Sequence, residues 1–191
     1  MPSLLLIGTL LWLGPLALYD LRHRAVPHIA FVAVPCLLAG GYAALRGDGP
    51  LTAMAAVMVA VSERHHLPAI SRRWVFWIGL LAAMGLIPFA SPETLPGAFA
   101  VLGFWLSFEI GWWAGADALA AITLALLWPD VLLLVALAVA HLGLSLAQRG
   151  RRPIRLPLML SLKELEALGE PGLPALALSV AIYGTLIRFV S

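Results

Sequence analysis

Of the ten acidic residues in this 191-residue chain, Asp20, Glu109 and Asp117 stand out, because the others fall in loops where solvation is explanation enough. Asp20 closes the first apolar stretch, in Leu18-Tyr19-Asp20-Leu21-Arg22, and Asp117 opens a later one, in Gly115-Ala116-Asp117-Ala118-Leu119. Two carboxylates brought close together in a partly desolvated site do not both ionise; they share a proton. One then activates a water while the other donates a hydrogen bond to a carbonyl under attack, which is the chemistry of aspartyl hydrolysis. Gly115 and Ala116 carry little side chain, so a substrate backbone has room beside Asp117. The competing reading makes each Asp a helix-end group paired with Arg22, Arg24 or another cation.

Glu109 precedes Asp117 by a little over two helical turns and so falls on a similar face. It is a candidate to tune Asp117, to carry a proton in a transport relay with both aspartates, or to pair with a base; simple packing is an equal alternative. Glu63 with His65-His66 is a poor metal site, because adjacent residues on a helix point in different directions. Cys36 is alone, which removes disulfides and Cys-x-x-Cys zinc sites within the chain, and no cofactor is expected. His141, among apolar residues, reads as a buried, hydrogen-bonded side chain.

The elements that must carry these groups are apolar runs at about 3–19, 29–45, 51–62, 74–90, 96–113, 118–128, 131–147 and 173–190. A membrane span needs about 20 residues, with about 17 as a working minimum. The runs at 51–62 and 118–128 are short and must borrow flanking residues such as Gly49-Pro50 or Ala114–Asp117. Trp128-Pro129-Asp130 breaks two runs apart, since proline ends the helix before it. The expectation is an all-α, polytopic transmembrane bundle of about eight spans in one domain covering 1–191, with six or seven spans as alternatives.

Composition agrees with lipid burial: 62% of residues are hydrophobic, 12% charged, and the mean hydropathy is +0.97. That is about half the charge of an ordinary soluble domain. The net charge of +2 is spread among loops rather than gathered on one face, so nucleic acid is not expected as a partner. The N-terminal stretch lacks a basic leader region and reads as a retained first span. With the N-terminus outside, the inside loops are 20–28, 63–73, 114–117 and 148–172, and they hold all of the 12 Lys and Arg residues except Arg46 and Arg188. The positive-inside rule selects this orientation, and it puts Asp20 and Asp117 on one membrane face. The basic 148–172 loop contains Ser161 and Glu164 in capping-box spacing, with Leu162, Leu165 and Leu168 on one side, and reads as a short amphipathic helix on the membrane surface. The seven Trp residues lie mostly near span ends, as an interfacial belt does.

The flanking residues give the pair a family resemblance. The stretch from Asp20 to Val26-Pro27-His28 resembles the first-aspartate motif of the type IV prepilin peptidases, and Gly115-Ala116-Asp117 resembles their Gly-x-Gly-Asp motif in its preflagellin peptidase form. The Glu170-Pro171 to Pro174-Ala175-Leu176 segment, followed by Tyr183-Gly184, resembles the proline-containing start of that family's last helix. The resemblance implies a membrane aspartyl endopeptidase of the cell inner (cytoplasmic) membrane. Asp20 and Asp117 would be catalytic, and Pro27, Gly115, Ala116 and Pro174 would shape the site. The substrate would be the basic leader of a prepilin-like precursor, cleaved at the cytoplasmic face, with Glu164, Glu166 and Glu170 as candidate docking groups. His28 stands where the family has Asn, Leu119 where it often has Lys, and an additional hairpin separates the aspartates. Tyr19-Asp20, Gly115-Ala116-Asp117 and Pro174-Ala175-Leu176 also resemble the motifs of presenilin-like intramembrane proteases, which imply the same catalytic pair. A proton-coupled transporter and a catalytically silent scaffold are the non-enzymatic alternatives.

Overall fold

The computed structural model describes residues 2–23, 30–62, 64, 67–110, 115–149 and 172–190. Among these, eight α-helices follow one another: α1 (Pro2–His23), α2 (Ala30–Leu45), α3 (Gly49–Ser62), α4 (Ala69–Leu86), α5 (Leu95–Glu109), α6 (Gly115–Leu127), α7 (Val131–Arg149) and α8 (Gly172–Val190). A 3₁₀ turn, Ile87–Phe89, extends α4, and no strand occurs among the described residues. The eight helices match the eight apolar runs in order. The two short runs do borrow their flanks, α3 starting at Gly49 and α6 at Gly115.

Proline sets several boundaries. Pro68 precedes α4, Pro96 occupies the first turn of α5, and α6 stops at Leu127 just before Trp128-Pro129. Hydroxyl groups within the helices are satisfied by their own backbone. Thr9 Oγ1 donates to Leu5 O (2.8 Å), Ser62 Oγ to Met58 O (2.9 Å) and Thr123 Oγ1 to Leu119 O (2.8 Å). Back-bonding of this kind keeps a hydroxyl tolerable where water is scarce.

Helix α6 is the central element. Every residue from Ala120 to Trp128 is buried, so this helix is covered on all sides, as an all-round apolar helix must be. It packs against α2, α5 and α8; α8 also packs along α1 and α7, and α3 packs on α4, α5 and α2. Small residues allow the close approaches. A Cβ built on Gly79 would stand 2.3 Å from Val61 Cγ2, and one on Gly97 would stand 2.4 Å from Pro129 Cβ.

Large apolar side chains also cover the outside. Leu4, Ile7, Leu11 and Leu18 are exposed along one face of α1, and Ile70, Trp74, Trp77, Ile78 and Leu81 along one face of α4. Two segments, Leu4–His23 and Ala69–Phe89, are long and apolar enough to cross a membrane; the remaining helices contain shorter apolar stretches.

Trp105 departs from the expected interfacial belt. It is 1% exposed, and its Nε1 donates to Ser62 Oγ (3.1 Å) across the α3–α5 packing. Trp74 is exposed in the second turn of α4, whereas Trp77, also exposed, stands at the middle of that helix rather than near an end. His141 is only partly buried.

Candidate active site

Asp117 lies in the first turn of α6, where the helix dipole complements a carboxylate. Its side chain rests against Gly172, the first residue of α8: a Cβ built there would be 2.5 Å from Asp117 Cγ and 2.7 Å from Oδ2. Only glycine fits that position with Asp117 as it stands. Pro174, buried two residues further on, sits in the first turn of α8, where a missing N–H costs no helical bond. Behind Asp117, Gly115 faces Phe108 of α5, whose Cε2 is 3.4 Å from the place of a glycine Cβ. Ala116 is half-buried in the same turn.

Asp20 lies in the last turn of α1 and is 7% exposed, among neighbours Tyr19 and Leu21 that face outward. Helix register relates it to Asp117. Gly184 of α8 meets Leu6 of α1, where a Cβ would come within 2.5 Å of Leu6 Cδ2. The two helices pack along one another, and α8 ends at Val190, soon after that contact, so they must run antiparallel. From Leu6 to Asp20 is about 21 Å along α1, and from Gly184 back to Gly172 is about 18 Å along α8. Asp20 therefore reaches the level of Gly172, and hence of Asp117. The opposite end obeys the same register: Trp128 after α6 packs on Tyr183 of α8 (ring centroids 5.5 Å apart), so α6 and α8 run parallel. The two aspartates belong to one end of the bundle.

Glu109 at the end of α5 comes to that end too, but it is already engaged. Arg64 Nη1 donates to Glu109 Oε1 (2.7 Å) and Arg64 Nη2 to Oε2, with the two side chains 8% and 7% exposed. Of the roles open to Glu109 in the sequence, pairing with a base is the one the structure contains.

The far end carries polar pairs that loop solvation did not foresee. Tyr183 OH donates to Asp130 Oδ2, and Asp130 Oδ1 accepts from Leu133 N (2.9 Å), capping the start of α7. Arg46 donates to the last carbonyls of α6, Leu127 O (2.9 Å) and Leu126 O (3.2 Å), and pairs with Asp48 at 2.5 Å. Asp130, Asp48 and Arg46 are thus structural partners rather than solvated loop charges. The signal in the sequence was their position beside helix ends, where backbone groups need partners. Gly172 was legible only as part of a proline-containing motif.

Pro27, His28, most of the 148–172 loop with Glu164, Glu166 and Glu170, and the Glu63, His65 and His66 cluster lie outside the described residues. Among the described residues no group of three or more His, Cys, Asp or Glu side chains is placed to hold a metal ion. No protein-family model, curated protein or solved structure matches this chain.

Proposed function

We propose that the chain is a polytopic membrane aspartyl endopeptidase that cleaves the basic leader of prepilin-like precursors at the cytoplasmic face. The observation that carries this reading is the common level of Asp20 and Asp117, one in the last turn of α1 and the other in the first turn of α6. The burial of Asp20 supplies the low-dielectric setting in which neighbouring carboxyls share a proton. The ionised member of the pair draws a proton from water, and the protonated member donates to the scissile carbonyl; the roles then reverse as the amine departs. The motifs around both aspartates, which resemble those of the prepilin peptidases, supply the substrate class.

The membrane placement rests on the outward-facing apolar side chains and on the eight alternating apolar helices. It orients the aspartate end towards the basic loops and so towards the cytoplasm. Helices α2, α3, α5 and α6 are 13 to 16 residues long, shorter than the roughly 30 Å hydrocarbon layer needs, and this reading therefore requires a local mismatch with the bilayer at those helices that face lipid.

The test is cleavage of a synthetic precursor by the full chain in proteoliposomes. The precursor carries a basic leader, a glycine and an apolar segment of about 20 residues. Asp20→Asn and Asp117→Asn each abolish cleavage while the protein inserts with unchanged helical content. Cleavage retained by either variant overturns the reading.

A further inference from the structure

The α3–α4 hairpin stands between the two aspartate-bearing helices in sequence, and its contacts suggest what it is for. At the aspartate end a cluster of side chains ties it to the last turn of α5. Besides the double hydrogen bond to Glu109, Arg64 Nη1 donates to Val61 O (3.0 Å), and its guanidinium lies 5.1 Å from the centroid of the Phe76 ring of α4. Phe76 in turn stacks on Trp105 of α5 (5.2 Å, 21°), and Trp105 is the residue bonded to Ser62 of α3. Glu109 is followed backwards by Phe108, the residue against Gly115, and Gly115 precedes Asp117 by two positions. An unbroken chain of contacts runs from the hairpin to the turn that bears Asp117.

Packing alone does not require an ion pair here. Two buried charges lose much of their hydration, and apolar residues of similar volume often hold helices together as well or better. What a forked guanidinium–carboxylate pair adds is direction, because two parallel hydrogen bonds set both separation and rotation.

We propose that the Arg64–Glu109 pair is a positioning device, by which the α3–α4 hairpin holds the end of α5, and through Phe108 and Gly115 the start of α6, so that Asp117 keeps its place at the level of Asp20. The catalytic consequence rests on the protease reading above; the geometric consequence does not. A displacement of about 1 Å in a catalytic group costs up to about 100-fold in rate.

The experiment compares the full chain in nanodiscs with Arg64→Met, Glu109→Gln and the double variant Arg64→Met/Glu109→Met, all in a Cys36→Ala background. Either single change leaves a buried charge without its partner and can fail to fold, whereas the double variant removes both charges and keeps the volume. Two readouts are taken. Precursor cleavage gives kcat and KM separately. Spin labels at the exposed positions Leu21, beside Asp20, and Ile110, beside Glu109, give the distance between the α1 and α5 ends. The double variant is expected to melt no lower than the parent, to lose about 10- to 100-fold in kcat with KM within about twofold, and to show a broadened distance distribution. A double variant with parental kcat and an unchanged distribution overturns the proposal. If the parent chain cleaves nothing, the protease reading fails, and the distance distribution alone decides the positioning role.

Discussion

Gly172 and Asp117 occupy one packing space: the place of a Cβ on the glycine is 2.5 Å from Asp117 Cγ and 2.9 Å from its Cβ. The start of α8 thereby forms a wall beside Asp117, and this helix limits which rotamer Asp117 can hold. Gly172→Ala forces the carboxyl away, since the alternative is a shift of α8 along both α1 and α7. On the proposed protease reading, precursor cleavage by Gly172→Ala should fall on the order of 100-fold with folding intact. Wild-type rates with an alanine there would mean that Asp117 works in another rotamer.

The contact at the other end of α8 is of a different kind. Tyr183 donates to Asp130, which also caps α7, so one carboxylate joins the α6–α7 break to the last helix. Tyr183→Phe leaves an acceptor oxygen short of a donor, and should lower stability by about 1–3 kcal/mol in denaturant titrations of the solubilised protein. Asp130→Ala removes the cap as well and should cost more. The two changes together should cost less than their sum, because they share one bond.

Arg46 serves the central helix. Its guanidinium closes the carbonyls of Leu126 and Leu127, which no α6 residue can reach. Arg46→Met should destabilise by about 1–3 kcal/mol, measured by thermal or denaturant unfolding. It lies at the end away from the aspartates, so on the proposed protease reading the Michaelis constant for the precursor should not move.

The described glycines differ in the room around them. Gly97 faces backbone as well as side chain, with Pro129 Cα at 2.8 Å from the place of its Cβ, and its N–H donates to Pro129 O (3.2 Å). Gly97→Ala should cost about 1–3 kcal/mol, because neither neighbour can swing away. Gly85, near the end of α4, has nothing within 4 Å of a Cβ. Gly85→Ala should stabilise by up to about 1 kcal/mol through helix propensity. Parallel unfolding curves of the two variants check both signs.

The proposed membrane orientation has its own test at the two ends of α4. Arg73 and Glu93 are both exposed and lie at opposite ends of the Ala69–Phe89 segment and its following turn. With Cys36 replaced by Ala, Arg73→Cys should react with an impermeant thiol reagent only from the cytoplasmic side, and Glu93→Cys only from the other. Labelling of both from one side would remove the span.

The sequence by itself determined the eight helices, their order and most of their ends. These are largely local matters: apolar runs break where proline, glycine and polar residues fall together, as around Gly49, Pro68, Gly115 and Pro129, although Pro15 and Pro35 are carried inside α1 and α2. It also singled out Asp20 and Asp117, because a carboxylate beside an apolar run is costly and so conspicuous. The tertiary structure alone decided what meets what. When a helix such as α6 is apolar on every side, its periodicity holds no record of which face turns towards which neighbour. Trp105 could thus enter the core instead of the outer belt. Arg64 could find Glu109, 45 positions away, and Gly172 could close upon Asp117. Partners so distant along the chain are chosen by helix register and side-chain volume, which exist only once the bundle has assembled.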